Sequence, residues 1–256
     1  MIRSLLRYAG AARDEHSLHS PFLFELYTQI IRADSPCEPV FASIRTRRRE
    51  LRRSRQTLHV TDYGTGAGEY DRSVGSIARA SLKSDKIGRL LYRLVRRFEA
   101  KTVLDLGTSL GITTAYLAKA TEATSGTVLT VEGCPQTAAV ATETFQTLSC
   151  STVRQVVGNL AQTLGPVLTE LSQIDFVFFD ANHRYEPTIH YFMTCLDHIH
   201  NDSVFIFDDI HWSADMERAW ETIKAHPAVT VTIDLYRVGI VFFRREQPKQ
   251  HFVLRF

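Results

Sequence analysis

From residue 102 onward, short apolar runs alternate with longer stretches of helical periodicity. Runs near 102–106, 127–132, 152–157, 174–179 and 203–207 read as strands, and 110–120, 134–148, 160–172, 186–199 and 213–225 between them read as helices. Strands apolar along most of their length are covered on both faces, and a helical crossover between each pair makes them parallel. The pattern changes near the end, where the β-rich runs 229–235 and 238–243 are separated by two residues. That gap admits a hairpin and excludes a crossover, so one edge strand must run antiparallel. The result is an α/β sheet with helices on both faces.

Upstream, 81–100 is a helix. Ile87, Leu90, Leu91, Leu94, Val95 and Phe98 form one stripe, and the arginines fall largely outside it. Residues 1–20 read as a short helix and a loop. Ser20-Pro21 starts a second helix, with Ser as N-cap and Pro in the first turn, and Phe22, Phe24, Leu26, Tyr27, Ile30 and Ile31 give it a broad core-facing side. The chain therefore divides into a helical, basic extension over 1–80 and a sheet domain over 81–256.

Chemistry concentrates at the strand ends. The first strand runs into Asp105-Leu106-Gly107-Thr108-Ser109-Leu110-Gly111 and then into a helix. Glycine is suited to such a turn because it accepts positive φ and lets a ligand approach the backbone. The helix start offers free N–H groups to an anion. The second strand ends in Glu132, placed to accept the hydroxyls of a ribose, so a nucleoside-containing cofactor is expected. The spacing of the two glycines differs from the dinucleotide pattern G-x-G-x-x-G. A second glycine-rich loop, 62–68, competes for this role. It lacks a long apolar strand before it and a helical stripe after it, and reads instead as a mobile loop, a candidate lid over the substrate.

The fourth strand ends in Asp180 and the fifth in Asp208-Asp209, so three carboxylates are expected at one rim of the sheet. Clustered acids repel unless a cation or proton is shared, and a divalent ion such as Mg²⁺ or Ca²⁺ is the simplest remedy. His183 and His211 follow these acids closely and are candidate general bases. The third strand closes in Gly158-Asn159, where the asparagine is placed to meet a nucleoside base.

Charge and cysteine usage narrow the class. Residues 1–100 hold 19 Lys/Arg against 11 Asp/Glu, and residues 101–256 hold 11 against 17. Within the basic part, 45–55 carries seven arginines in eleven positions but no aromatic residues to stack bases. A solvated helix face is therefore expected there, and nucleic acid is not the expected partner. The four cysteines are scattered without a C-x-x-C pair, which argues against zinc and disulfides and for a cytoplasmic setting. No apolar run reaches the ~20 residues of a membrane span.

The ordered set Asp105-x-Gly107-x-x-x-Gly111, Glu132, Gly158-Asn159, Asp180 and Asp208-Asp209 resembles the class I S-adenosylmethionine-dependent methyltransferases. More narrowly it resembles the metal-dependent O-methyltransferases related to catechol and caffeoyl-CoA O-methyltransferases. The resemblance covers roughly 82–245 and implies a Rossmann-like, seven-stranded methyltransferase sheet with one antiparallel strand. It further implies that Gly107, Ser109 and Thr113 surround the cofactor's methionine part, with Asp105, Thr108 and Gly111 also in the cofactor site. Glu132 would hold the ribose, and Gly158, Asn159 and Asp180 would complete the cofactor site. Asp180, Asp208 and Asp209 would bind the metal. The family's catalytic lysine falls near His183, which becomes the expected base beside Asp180. The expected acceptor is a small hydroxylated molecule, and a homodimer is left open.

Overall fold

Parallel strands need covering helices, and the alternation expected from residue 102 onward is present, with element ends shifted by one to a few residues. The computed structural model describes residues 2–33, 39–64 and 68–256. Contacts divide the chain into two units, Met1–Asp34 with Leu168–Phe256 and Ser35–Val167. Residues 1–34 and 35–80 of the basic extension thus group with different parts of the sheet.

In the first unit, α1 (Ile2–Ala11) precedes α2 (Pro21–Glu25), which widens into a π turn over Leu26–Ile31 and buries Leu23, Leu26, Tyr27 and Ile31. Ser20 stands at the N-cap position, but its side chain makes no cap bond; its carbonyl accepts from Phe24 N at 2.9 Å.

The second unit opens with α3 (Pro39–Arg53), which carries most of the arginine run. Three arginines of the run are spent inside the unit. Arg45 pairs with Asp85 at 3.9 Å, Arg47 with Glu143 at 3.6 Å, and Arg48 donates to the carbonyls of Leu82 and Lys83. Arg49, Arg52, Arg53 and Arg55 are exposed. The short strand expected before the glycine-rich loop is present, and a second one follows the loop. β1 (Thr57–Asp62) and β2 (Gly68–Ser73) pair antiparallel in register from Thr57↔Ser73 to Asp62↔Gly68. Alternating burial failed as a signal because this hairpin is a small sheet of its own, with Leu58 its one fully buried residue. Residues 65–67 of the glycine-rich loop lie outside the described residues. Helix α4 (Val74–Ser81) follows, capped by the Ser73 hydroxyl, which accepts from Ser76 N.

Helix α5 (Asp85–Arg97) buries the expected stripe and is capped by Ser84. Then come β3 (Thr102–Leu106), α6 (Ile112–Thr121), β4 (Thr127–Glu132), α7 (Pro135–Thr147), β5 (Val153–Val157) and α8 (Leu160–Thr169). The three strands are parallel, with Leu104↔Leu129 and Val131↔Val156 among the paired residues.

Gly88 lets α5 approach α6, because a methyl there would collide with the Tyr116 ring. That ring is anchored by its hydroxyl, which donates to Asp85. Alanine normally gains about 1 kcal/mol over glycine inside a helix. Here Gly88→Ala should instead destabilise the protein by about 1–3 kcal/mol, since overpacking outweighs propensity. Urea unfolding measures the difference, and a stabilised variant would show that the contact yields.

The first unit resumes with β6 (Ile174–Phe179), α9 (Tyr185–Leu196), β7 (Ile199–Asp208), α10 (Ala214–Ala225), β8 (Val231–Asp234), β9 (Val238–Phe242) and β10 (Gln250–Val253). β6 and β7 are parallel, β9 runs antiparallel to β7 and β8, and β10 runs parallel to β8. An antiparallel strand is thus present in the expected pair, but it is β9, which lies between β7 and β8 and not at the edge. The strand β10 is additional to the seven expected, and its short, half-polar sequence suits a sheet edge. Its neighbourhood ties down the N-terminal helices: Tyr8 donates to Leu254 O at 2.5 Å and Tyr27 to Arg255 O at 2.9 Å. No helix among the described residues is long and apolar enough to cross a membrane.

Candidate active site

In the second unit, the turn from β3 to α6 is built on positive φ angles: 118° at Gly107, 48° at Ser109 and 80° at Gly111. Gly111 is the N-cap of α6, and a methyl on it would stand 2.8 Å from Phe145 and 3.2 Å from Ala141. Glycine is required there on both counts. The backbone N–H groups of Gly107 and Thr108 donate to Val131 O at 3.2 and 3.1 Å, which ties the turn to β4.

Glu132, at the end of β4, closes this arrangement. One carboxylate oxygen accepts from Ser109 N at 2.8 Å and the other from Cys134 N at 3.0 Å. Burial raises its pKa, opposed by backbone N–H donors from Cys134, Ser109 and Gly133. Asp105 and Thr108 are buried beneath the turn. Asp105 accepts from Thr114 at 2.6 Å and Thr130 at 2.9 Å, while Thr108 shares a hydroxyl contact with Thr130 at 2.6 Å. These two residues therefore support the loop from inside. Ser109 meets the Ser81 hydroxyl at 2.9 Å, and Thr113 is buried in the first turn of α6.

Gly158, with φ 156°, donates its N–H to Glu132 O at 2.9 Å, so the ends of β4 and β5 lie side by side. The Asn159 side chain accepts from Ala161 N at 3.0 Å, which makes it a cap for α8.

The acids of the first unit form a separate cluster. Asp180 follows β6 directly, and Asp208 ends β7 with 2% of its surface exposed. Beneath them, Phe179 and Phe207 stack with centroids 4.2 Å apart, fixing the two strand ends. A tight turn with positive φ at Asn182 and His183, closed by His183 N donating to Ala181 O, returns the imidazole to within 3.4 Å of Asp180. One ligand atom from each of Asp180, His183 and Asp208 lies within 4.8 Å of the others.

Asp209 is not in this group. Its carboxylate faces Arg237 at 3.4 Å and its φ is 50°. Of the expected trio, Asp180 and Asp208 lie together, with His183 in the place expected for Asp209.

Residues 104–210 match the family model of a methyltransferase domain. Over that stretch the chain is similar to a methyltransferase domain. Three solved structures share its fold. A Bacillus cereus O-methyltransferase in complex with S-adenosylhomocysteine is 18% identical, with a TM-score of 0.59 over 85% of this chain and 96% of that one. A Podospora anserina methyltransferase bound to S-adenosylhomocysteine is 14% identical, with a TM-score of 0.61 over 89% and 97%. The Streptomyces achromogenes O-methyltransferase TomG, solved with S-adenosylmethionine and involved in tomaymycin synthesis, is 19% identical, with a TM-score of 0.57 over 86% and 96%. No curated protein matches the chain.

His211, the second candidate base, is occupied elsewhere in the first unit. Its Nε2 lies 2.7 Å from Asp234 and its Nδ1 3.5 Å from Glu217, with the ring stacked on Tyr236. Burial lowers its pKa, but the two carboxylates outweigh burial and the net direction is up. A histidine whose folded-state pKa exceeds its unfolded value of about 6.5 stabilises fully below that value and loses the contribution as pH rises through the folded pKa. His211→Gln should therefore cost more stability at pH 5.5 than at pH 9. Equal losses in urea melts at both pH values would remove His211 as a stabilising cation.

Proposed function

We propose that this methyltransferase transfers a methyl group from S-adenosylmethionine to a hydroxyl of a small molecule. The observation that carries the reading is the β3–α6 turn, with glycines at φ 118° and 80° and Glu132 at its edge. Both Glu132 oxygens already accept one N–H, and each keeps a lone pair for a ribose hydroxyl. The domain match over 104–210 and the cofactor-bound structures of the same fold support this reading. Hydroxyl as the acceptor rests on the likeness to O-methyltransferases.

Asp180, His183 and Asp208 suit a divalent cation, since their ligand atoms all lie within 4.8 Å of one another, near the span of two metal–ligand bonds of about 2.1 Å. When bound, such an ion would neutralise the carboxylates and lower the pKa of a hydroxyl. The imidazole nitrogen shifts the preference from Mg²⁺ or Ca²⁺ toward first-row ions such as Mn²⁺ or Co²⁺. In this role His183 is a neutral ligand beside the two carboxylates. The cofactor's sulfonium makes methyl transfer intrinsically easy, so positioning of the acceptor supplies most of the acceleration.

The test is calorimetry with S-adenosylhomocysteine, followed by radiolabelled S-adenosylmethionine with catechols, other hydroxylated aromatics and sugars, with and without Mn²⁺. Failure to bind S-adenosylhomocysteine would overturn the reading at its base. Label appearing on an amine in place of a hydroxyl would overturn the acceptor class.

A further inference from the structure

The β1–β2 hairpin belongs to none of the strands that hold the proposed cofactor site, yet it is fastened to the end of β4. His59 N donates to the Gln136 side chain at 2.8 Å, and Cys134 Sγ approaches His59 O at 3.8 Å. Both partners lie within four residues of Glu132. The tip itself is held by Asp62. One of its oxygens accepts from Gly64 N at 2.7 Å, an Asx-type turn, and the other accepts from the Tyr70 hydroxyl at 2.8 Å across the hairpin.

This bracing aims Tyr63 at a single place. A methyl on Gly133 would stand 2.6 Å from Tyr63 Cδ2 and 3.0 Å from Cε2, so the ring lies directly on the residue that follows Glu132. The ring is still 44% exposed. An aromatic side chain that is both seated and partly open is a surface on which another flat group can stack. Asp62 is also close enough to Glu132 to raise its pKa, which places the tip beside that carboxylate.

We infer that Tyr63 is a specificity-determining wall of the cofactor site, packing against the adenosine that Glu132 holds by its ribose, with Asp62 as the residue that positions it. The inference rests on the reading of Glu132 given above. It assigns a binding role to a hairpin that carries none of the methyltransferase motifs. Gly133 is part of the same device, because any side chain there would evict the ring.

Calorimetry with S-adenosylhomocysteine tests this on Tyr63→Ala, Tyr63→Phe, Gly133→Ala and the Tyr63→Ala/Gly133→Ala double variant, with Glu132→Ala as control. Tyr63→Ala should weaken binding about tenfold, the scale of a lost stacking platform, and Tyr63→Phe should bind like the native protein. Gly133→Ala should match Tyr63→Ala, and the double variant should be no worse than either, as coupled neighbours require. Hydrogen exchange in 58–63 should slow when S-adenosylhomocysteine binds, a readout independent of any variant's folding. If Glu132→Ala weakens binding while Tyr63→Ala leaves it within about twofold and exchange in 58–63 is unchanged, the wall is refuted and the cofactor site stands. If Glu132→Ala has no effect either, the cofactor reading itself has failed.

Discussion

Replacing Asp208 with asparagine should cut methyl transfer by about a hundredfold or more, with the fold and S-adenosylhomocysteine binding intact. The asparagine is nearly isosteric with the buried aspartate and sits on the same Phe179–Phe207 stack, so packing changes little. What is lost is one of two carboxylates that make the cluster attractive to a divalent ion. EDTA should reproduce the loss in the native enzyme, and Mn²⁺ or Co²⁺ should restore activity better than Ca²⁺. Asp209→Asn should be far milder, because Asp209 faces Arg237. Full activity in EDTA together with an active Asp208→Asn variant would end the metal proposal and leave positioning alone as the source of acceleration.

Gly107→Val is expected to lower S-adenosylhomocysteine affinity beyond calorimetric detection. Valine strongly resists a φ of 118°, and straining it into that region costs about 1–3 kcal/mol. The turn would instead move, disturbing the backbone tied to Val131 and the Ser109 N–H held by Glu132. Glu132→Ala should weaken binding by about 1–3 kcal/mol, the range for losing a charged hydrogen-bond acceptor. Circular dichroism separates loss of the site from loss of the fold. Unchanged affinity in both variants would move the cofactor away from this turn.

Much of this was legible in the chain itself. The runs around Leu104, Leu129 and Phe178 are apolar because parallel strands are covered on both faces, and this leaves an unmistakable pattern. The antiparallel β9 followed from a connection too short for a crossover. Gly107, Gly111 and Glu132 could be picked out because a tight turn and a strand-end carboxylate leave local signatures. By contrast, β2 and β10 escaped notice, and β1 showed only as a short run around His59, because small or edge sheets hold together by backbone hydrogen bonds, which any sequence can make.

The composition of the acid cluster needed the fold. Asp180, Asp208 and Asp209 look equivalent as letters after two strands, and the sequence alone determined only that carboxylates end β6 and β7. Beyond the end of β7 the 50° φ at Asp209 sets that carboxylate beside Arg237, while a tight turn returned His183 to Asp180. His211 looked as competent a base as His183 until Asp234 and Glu217 were found on its two nitrogens. The seat of Tyr63 on Gly133, seventy residues apart in sequence, was likewise set by packing. Local backbone preference writes strands, turns and glycines into the sequence, whereas which side chains meet depends on distant segments that share no local signal.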